Sequence, residues 1–257
     1  MSTRAFFCIF FRIYGIIFAS DAENFSRWRE GKEDERNLRY KAVIFDLDGT
    51  LLNTLQDLTD AVNAGLISQG FPVRTIEEVR VFVGNGIRKL LERAVPDGAE
   101  NTRFPEVESF FRQYYGRHCL DRTVPYDGII PLLKELKEAG VRMAVVSNKA
   151  DFAVKELIPV FFDGFIDVAH GENERAGIKK KPAPDMVYQA LKELGCRPKE
   201  AVYVGDSDVD IATAENAGLD SVSVCWGFRG REFLKAHGAV TLIDKPEELI
   251  KFLNGRL

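Results

Sequence analysis

The stretch AVIFDLDGT, residues 42–50, decides the fold of this chain. Its first four residues are apolar, and such a continuous run predicts a strand of a parallel sheet that is covered on both faces. Asp46 and Asp48 follow at the carboxyl end of that strand, where the ligands of such sheets bind. Strand period two directs both carboxylates to the same side, and Gly49 permits a sharp turn. One carboxylate is then placed to attack a substrate while the other transfers protons.

The alternative interpretation is a solvated turn, because Asp, Gly and Thr are common turn residues. Three further segments favour chemistry instead. Residues 145–148 (VVSN) end an apolar run in a hydroxyl, and residues 179–185 (KKKPAPD) hold a cation between loop-forming prolines. Residues 202–210 (VYVGDSDVD) end another strand in carboxylates. The order of these segments and their placement at strand ends indicate a functional site.

From Tyr126 onward, apolar runs alternate with helical patterns, which is typical of βαβ units and a parallel sheet. The predicted strands are residues 141–147, 165–169, 201–205, 221–225 and 240–243, and the predicted helices between them include residues 129–139, 184–194 and 208–217. We therefore predict an α/β fold with a doubly wound, Rossmann-like parallel sheet.

Residues 55–125 interrupt this pattern directly after the catalytic turn. They contain several helical patterns and no convincing strand, so they predict an inserted α-helical cap. Thr54 and Asp57 resemble a capping box, which would begin a helix at the hinge. Further helices are predicted at residues 87–95 and 104–120. Residues 40–54 and 126–257 then make up the catalytic core.

Residues 1–39 differ from the rest and are predicted to be an extension, disordered or non-native. Residues 5–19 are almost wholly apolar, like the core of a signal peptide, but fall short of the about 20 apolar residues that span a bilayer. Residues 21–39 are charged and lack apolar periodicity, which is typical of a linker. A leader or anchor, a harmless extension and sequence upstream of the true start are the alternatives, and the last two are favoured.

Composition limits the class of protein further. With 257 residues and 46% apolar content, the chain can bury a full core. Its formal charge of −4 argues against nucleic-acid binding, which needs clustered Lys and Arg, so the expected partner is a small molecule. Four cysteines without CxxC spacing suit a reducing compartment, and we expect a cytoplasmic protein without membrane association. The oligomeric state is left open.

The four segments resemble the four motifs of the haloacid dehalogenase-like phosphohydrolases. Within that superfamily the chain is most similar to the phosphoglycolate phosphatase-like family, from about Tyr40 to the C-terminus. The resemblance implies that Asp46 of the DxDGT motif is the nucleophile and that Asp48 is the general acid/base. It further implies that Ser147 supplies the hydroxyl of the second motif and Lys181 the lysine of the third.

The resemblance also implies a magnesium site. The fourth motif, GDxxxD, places a metal ligand at Asp206 and a supporting carboxylate at Asp210. Magnesium is a hard cation that prefers oxygen ligands, so it suits the carboxylates of Asp46 and Asp206, and the resemblance adds the backbone carbonyl of Asp48. Such an ion would offset the repulsion between an anionic nucleophile and a phosphate.

The residues expected to bind substrate fall into a core group and a cap group. They are Thr50, Ser147 and Asn148 in the core, and Gly84, Asn85, Gly86 and Arg88 in the cap. The core motifs recognise features that all phosphate monoesters share, so discrimination is expected from the cap. Helix-start N–H groups and the Arg88 cation suit a carboxylate on the substrate.

Together these patterns predict a magnesium-dependent phosphatase that acts on a small phosphorylated metabolite through an aspartyl-phosphate. The preferred substrate is 2-phosphoglycolate, which would yield glycolate and phosphate. The alternatives within the superfamily are an inorganic pyrophosphatase, a sugar-phosphate phosphatase and a phosphomutase. A different class of protein, a non-catalytic module that binds phosphate or magnesium, is the remaining alternative.

Overall fold

Strand β1, Ala42–Phe45, lies in the middle of a six-stranded sheet, with all four residues buried. The structure is a computed structural model that describes residues 39–173 and 177–255. All strand pairs of this sheet are parallel, in the order β5-β4-β1-β6-β7-β8. This arrangement confirms the predicted α/β fold. The extension predicted for residues 1–39 lies, except for Arg39, outside the described residues.

The remaining strands follow the order of the chain. They are β2 (Leu52–Asn53), β3 (Val124–Pro125), β4 (Arg142–Ala150), β5 (Val168–Glu172), β6 (Ala201–Gly205), β7 (Asp220–Val224) and β8 (Thr241–Ile243). The helices are α1 (Leu55–Ser68), α2 (Ile76–Phe82), α3 (Ile87–Ala94), α4 (Phe104–His118), α5 (Ile129–Glu138), α6 (Asp151–Phe162), α7 (Asp185–Leu194), α8 (Asp208–Ala217), α9 (Arg231–Ala236) and α10 (Glu247–Leu253).

The two faces of the sheet are covered by different helices because side chains alternate along each strand. In β1, Val43 and Phe45 belong to an apolar cluster with α5, α6 and α10. Ala42 and Ile44 belong to a second cluster, which includes residues of α7 and α8. Burial on both faces explains why β1 reads as an uninterrupted apolar run in the sequence.

Two of the predicted strands differ from the structure by three residues at an end, and the other predicted strands differ by one residue at most. Strand β5 begins at Val168, three residues after the predicted start at position 165. Strand β4 continues past the predicted end at Ser147 as far as Ala150, because Ala150 pairs with Glu172 after a change of register. The polar residues that follow the apolar run are therefore held by the sheet and are not part of a free loop.

Helices α1–α4 lie in the residues predicted to form the helical cap. They share an apolar cluster of their own, with Leu66, Val79, Leu91 and Phe111 among its fully buried members. The chain enters these helices after β2 and leaves them before β3, and these two short strands pair antiparallel. The division into a core and a cap at residues 55–125 stays our proposal.

Among the described residues, none of the helices has the length and apolar character that a bilayer span requires.

The capping box predicted for Thr54 and Asp57 is wrong. Thr54 makes no side-chain bond to the start of α1, and its hydroxyl is buried without a hydrogen-bond partner. The Asp57 carboxylate instead accepts from the backbone N–H of Arg122, at 3.0 Å, and from the N–H and hydroxyl of Thr123, at 2.9 and 2.8 Å. Asp57 thus joins the beginning of α1 to the segment by which the chain returns to the core.

We expect Asp57→Ala to lower the stability of the protein by about 3 kcal/mol, because it leaves buried N–H and hydroxyl donors without an acceptor. In a chain of this size that loss corresponds to a fall in Tm of roughly 6–12 °C. Thermal denaturation followed by circular dichroism measures it. Asp60→Ala, one turn along the same helix, is the control, since Asp60 accepts only a local bond from Gln56 in the described structure. Equal effects of the two substitutions would show that the bonds from Asp57 to Arg122 and Thr123 do not stabilise the protein.

Candidate active site

One cavity lies at the carboxyl ends of β1, β4 and β6, where the topology brings the predicted motifs together. Eight residues predicted from the sequence line it: Asp46, Asp48, Gly84, Gly86, Ser147, Asn148, Lys181 and Asp206. The neighbours of β1 in the sheet are reached by connections in opposite directions, which is where open α/β sheets form a ligand crevice.

Asp46 and Lys181 form the buried centre of the cavity. The Lys181 Nζ lies 2.9 Å from Asp46 Oδ1, and the two side chains are only 11% and 2% exposed. Burial raises the pKa of Asp46 to about 7; the charge of Lys181 opposes this rise, and that of Asp210 adds to it. The carboxylate that ends β1 is therefore partly desolvated and directed at a cation.

Lys181 is held in place by groups of β6 and α8. Its ammonium donates to Asp210 Oδ1 at 2.8 Å and to the Tyr203 hydroxyl at 3.1 Å. The second oxygen of Asp210 accepts from the hydroxyl of Ser207 at 2.6 Å, within a capping box that begins α8. Asp210 thus supports Lys181. Tyr203 was missed from the sequence, where its only signal is a polar hydroxyl inside an apolar strand.

The carboxylates of the site outnumber its partnered cations. Asp46, Asp206 and Asp210 each place an oxygen within 4.8 Å of the others, and the Lys181 ammonium contacts two of them, Asp46 and Asp210. Asp206 accepts from an uncharged donor, the backbone N–H of Phe228, at 2.7 Å. Burial, and then the charges of Asp210 and Asp46, raise the pKa of Asp206 well above its usual range. This surplus of buried carboxylate oxygens fits a hard divalent cation.

Gly227 closes one side of Asp206 and was missed from the sequence. A Cβ at this position would lie 2.5 Å from both Asp206 Oδ2 and the backbone oxygen of Gly49. Gly49 has a positive φ of 86°, and its own Cβ would lie 2.7 Å from Asp206 Cγ. The backbone at Gly49 and the backbone at Gly227 therefore both pack directly against the Asp206 carboxylate, and only glycine allows so close an approach.

Lys149, which was also missed from the sequence, holds the carboxylate of Asp48, the second aspartate of the first motif. Its Nζ lies 2.9 and 3.1 Å from the two oxygens of Asp48 and 2.5 Å from the hydroxyl of Tyr115, on α4. The Lys149 side chain is 3% exposed. Desolvation acts to lower its pKa, but Asp48 and Tyr115 outweigh that effect, and the pKa lies above the usual range for lysine. Its position two residues after Ser147, in the same strand, is the signal that could have found it.

The loop that precedes α3 meets the core through its backbone. The Asn148 amide donates to the carbonyl of Gly84 at 3.2 Å and to that of Lys181 at 3.1 Å. Asn148 therefore joins the loop before α3 to Lys181, the lysine of the third motif. Gly84 and Gly86 reach the cavity because these bonds draw the loop against β4.

Three residues predicted to bind substrate are not among the described residues that line the cavity. The Arg88 side chain is 64% exposed and bonds Glu92 on the outer side of α3. The Asn85 amide oxygen accepts from Arg93 on the same helix. Thr50 is fully buried, with its hydroxyl 3.4 Å from Asp206 Oδ1. Local partners engage the first two, and Thr50 lies behind Asp206.

The arrangement combines three chemical capacities. Asp46 presents an anionic oxygen beside a cation, Asp48 presents a second carboxylate to the same cavity, and Ser147 adds a hydroxyl. Lys181 places positive charge where a bound anion would need it, and a cation held by the oxygens of Asp46, Asp206 and Asp210 would add to that charge. The site can therefore bind a phosphoryl group, attack it, and transfer a proton.

Comparisons with known proteins point the same way. Residues 43–224 match the family described as haloacid dehalogenase-like hydrolase. The phosphoglycolate phosphatase of Aquifex aeolicus is 30% identical over 84% of this chain and 98% of its own. The N-acetylmuramic acid 6-phosphate phosphatase of Pseudomonas aeruginosa is 32% identical over 86% and 98%. A crystal structure from Lactobacillus delbrueckii subsp. bulgaricus is 38% identical, with a TM-score of 0.80 over 84% of this chain and 99% of its own.

We expect Gly227→Ala to lower kcat/KM at least tenfold, a loss of about 1.4 kcal/mol, because the added Cβ displaces Asp206 or the backbone of Gly49. Steady-state phosphate release measures the effect. Gly116→Ala is the matched control, since a Cβ on that helical glycine meets nothing within 4 Å. Unchanged kinetics in Gly227→Ala would show that the approach to Asp206 is not required.

Proposed function

The chain belongs to the haloacid dehalogenase-like hydrolases and is a phosphoric monoester hydrolase, and we propose that its substrate is 2-phosphoglycolate. The observation that carries the phosphatase chemistry is the buried pair of Asp46 and Lys181 in the cavity that Asp48 also lines. This pair sets a nucleophile and a phosphate-binding cation side by side. The products would be glycolate and inorganic phosphate.

We assign the attack on phosphorus to Asp46. One of its carboxylate oxygens forms a bond to phosphorus while the bond from phosphorus to the ester oxygen breaks, which leaves an aspartyl-phosphate on the enzyme. A covalent intermediate divides one difficult displacement into two easier ones. The position of Asp46 at a strand end supports the assignment, because β1 fixes its backbone and Lys181 fixes its side chain.

Asp48 is assigned the proton transfers. It donates a proton to the leaving oxygen in the first step and accepts one from the water that hydrolyses the aspartyl-phosphate in the second. One residue serves both steps because the second reverses the proton demand of the first. Its side chain is 14% exposed, so it can reach a substrate in the cavity while it stays largely shielded from water.

The other polar groups bind the phosphoryl oxygens. Lys181 supplies charge, and the hydroxyl of Ser147, which is 2% exposed and also accepts from the N–H of Lys149, supplies a directed donor. A magnesium ion held by Asp46, Asp206 and the backbone carbonyl of Asp48 would supply further positive charge against the repulsion between nucleophile and phosphate. Asp210 supports this arrangement through Lys181.

We propose that residues 55–125 act as the cap that covers the leaving group. Leu58, Ile87, Leu90 and Tyr115 of this segment line the cavity, whose volume is about 60 Å³. A single water needs roughly 10–15 Å³ by the same kind of measure, and the cavity includes the phosphate end beside Asp46 and Lys181, so the space suits a phosphoryl group with a leaving group of a few atoms. That size favours glycolate over a sugar.

The second candidate, a sugar phosphate, is supported by the Pseudomonas aeruginosa relative that acts on N-acetylmuramic acid 6-phosphate.

We further propose that the enzyme works in the cytoplasm. Cys119, Cys196 and Cys225 are all free thiols in the structure, and free thiols are typical of a reducing compartment. Fractionation of the native cells, with detection of the full chain in soluble and membrane fractions, tests this location.

Among a panel of phosphorylated metabolites, we expect the highest kcat/KM for 2-phosphoglycolate. We also expect Asp46→Asn to abolish the hydrolysis of that substrate. The amide cannot attack phosphorus, so the loss should be at least about a thousandfold, or ~4 kcal/mol. Asp208→Asn, which removes a partly exposed carboxylate at the start of α8, is the control. Residual activity of Asp46→Asn near that of the control would refute the covalent mechanism, and a sugar phosphate at the top of the panel would favour the second candidate.

The metal is tested separately. We expect EDTA to stop the reaction, magnesium to restore it and calcium to inhibit, because calcium takes more ligands at longer distances than magnesium. Magnesium should also raise the Tm of the wild-type protein and raise it less in Asp206→Asn, since a ligand that binds only the folded state stabilises it. Full activity after rigorous chelation would remove magnesium from the proposal.

A further inference from the structure

We infer that Lys149 selects substrates whose leaving group carries an anion close to the ester oxygen. This inference deepens the proposed function, and it rests on the assignment of Asp48 as the group that protonates the leaving oxygen. It names the substrate class as phosphate monoesters of small hydroxy acids. The observations that carry it are the burial of Lys149, its contacts and its position between core and cap.

Three cationic side chains line the cavity, and two of them are occupied elsewhere. Lys181 contacts Asp46 and Asp210, at the phosphate end. Arg229 donates to the backbone carbonyls at the end of α2, including that of Val83 at 2.7 Å. Lys149 contacts Asp48 and Tyr115 instead. Among the described residues it is therefore the cation on the leaving-group side of the cavity.

Distance places the Lys149 ammonium next to the leaving group. Its Nζ is 2.9 Å from an oxygen of Asp48, and a general acid must come within about 3 Å of the oxygen that it protonates. In 2-phosphoglycolate the carboxylate carbon is two bonds from the ester oxygen, about 2.4 Å away. A carboxylate at that distance is within reach of the same ammonium. A leaving group with its charge farther away is not.

An anionic group of the substrate that binds beside Lys149 needs the charge of this lysine, because the rest of the surroundings are unfavourable to an anion. Leu58, Leu90 and Phe152 provide apolar lining, and the Asp48 carboxylate would repel a second anion. Burying a charge in such a place is costly unless a partner compensates it. The Lys149 ammonium, with its side chain 3% exposed, is that partner. It can exchange its bond to the Tyr115 hydroxyl for one to the substrate and still hold Asp48.

Tyr115 connects this recognition to the cap. It lies on α4, is 3% exposed, and has its ring centroid 4.9 Å from the Lys149 Nζ. The ammonium is thus contacted by the core through Asp48 and by the cap through Tyr115. A leaving group bound at Lys149 lies between the two. Arg88, the cap cation predicted from the sequence, is on the outer surface of α3 and cannot take this role.

The test compares two substrates that differ only in the charge of the leaving group. 2-Phosphoglycolate carries a carboxylate where 2-hydroxyethyl phosphate carries a neutral hydroxymethyl group. We expect the wild-type protein to prefer the acid, and Lys149→Met to lower the ratio of the two kcat/KM values at least fiftyfold, mainly through KM for the acid. Lys149→Arg should retain the preference for the acid. Lys155→Met, at an exposed lysine on α6, is the control.

A role in positioning Asp48 alone predicts a different result, because loss of the acid/base lowers kcat for both substrates equally. Equal losses would overturn the inference. Lys149→Gln, which can still hydrogen-bond Asp48 but carries no charge, separates the two roles and replaces Lys149→Met if that variant does not fold. The inference requires Lys149→Gln to lose the preference as well, and retention of the preference would refute it.

A second pair of substrates separates this inference from the proposed substrate. 2-Phosphoglycerate and glycerol 2-phosphate also differ by a carboxylate, again two bonds from the ester oxygen. If the wild-type protein ignores 2-phosphoglycolate but prefers 2-phosphoglycerate to its neutral counterpart through Lys149, the substrate proposal fails and the inference stands. If it shows no preference for the acid in either pair, the inference fails, whichever phosphate monoester it hydrolyses best.

Discussion

The buried contact between Lys181 and the carboxylates of Asp46 and Asp210 is the constraint on which the site depends. Like charges so close together need compensation in a desolvated place, and a single ammonium reaches both side chains, at 2.9 and 2.8 Å. This requirement explains why Tyr203 and Ser207 surround the pair with hydrogen bonds. It also explains the fit of a divalent cation, because Asp206 adds a negative charge that Lys181 does not contact in the structure.

In the function that we propose, the site has two ends with different tasks, and each has its own lysine. At the phosphate end, Lys181 comes from a loop and is held by groups of the core. At the other end, Lys149 comes from the extended part of β4 and contacts both Asp48 and the cap residue Tyr115. The phosphate end recognises what all phosphate monoesters share. In that proposal the second end meets the part of the substrate that varies, between the core and residues 55–125.

Several of the polar contacts that hold residues 55–125 in place use backbone groups. Asn148 bonds the carbonyl of Gly84, Arg229 bonds carbonyls at the end of α2, and Asp57 binds N–H groups of the returning segment. Backbone groups are present at every residue and have no signature in the sequence. For this reason the pattern of residues predicted a helical insertion at residues 55–125 but not the groups that hold it.

The sequence by itself determined the sheet, the order of its motifs and the carboxylates and lysine of the phosphate end. Those features depend on local rules, namely strand period and the placement of polar residues where strands end, and the structure brings Asp46, Asp48, Ser147, Lys181 and Asp206 to one cavity as these rules predict. Only the tertiary structure decided the use of Asp57, Lys149 and Arg88. An acidic residue near a helix start reads as a cap, and a lysine reads as a solvated charge, until packing shows what lies opposite. Asp57 meets a segment more than sixty positions along the chain and Lys149 meets Asp48 about a hundred positions before it, whereas Arg88 finds its partner one helical turn away.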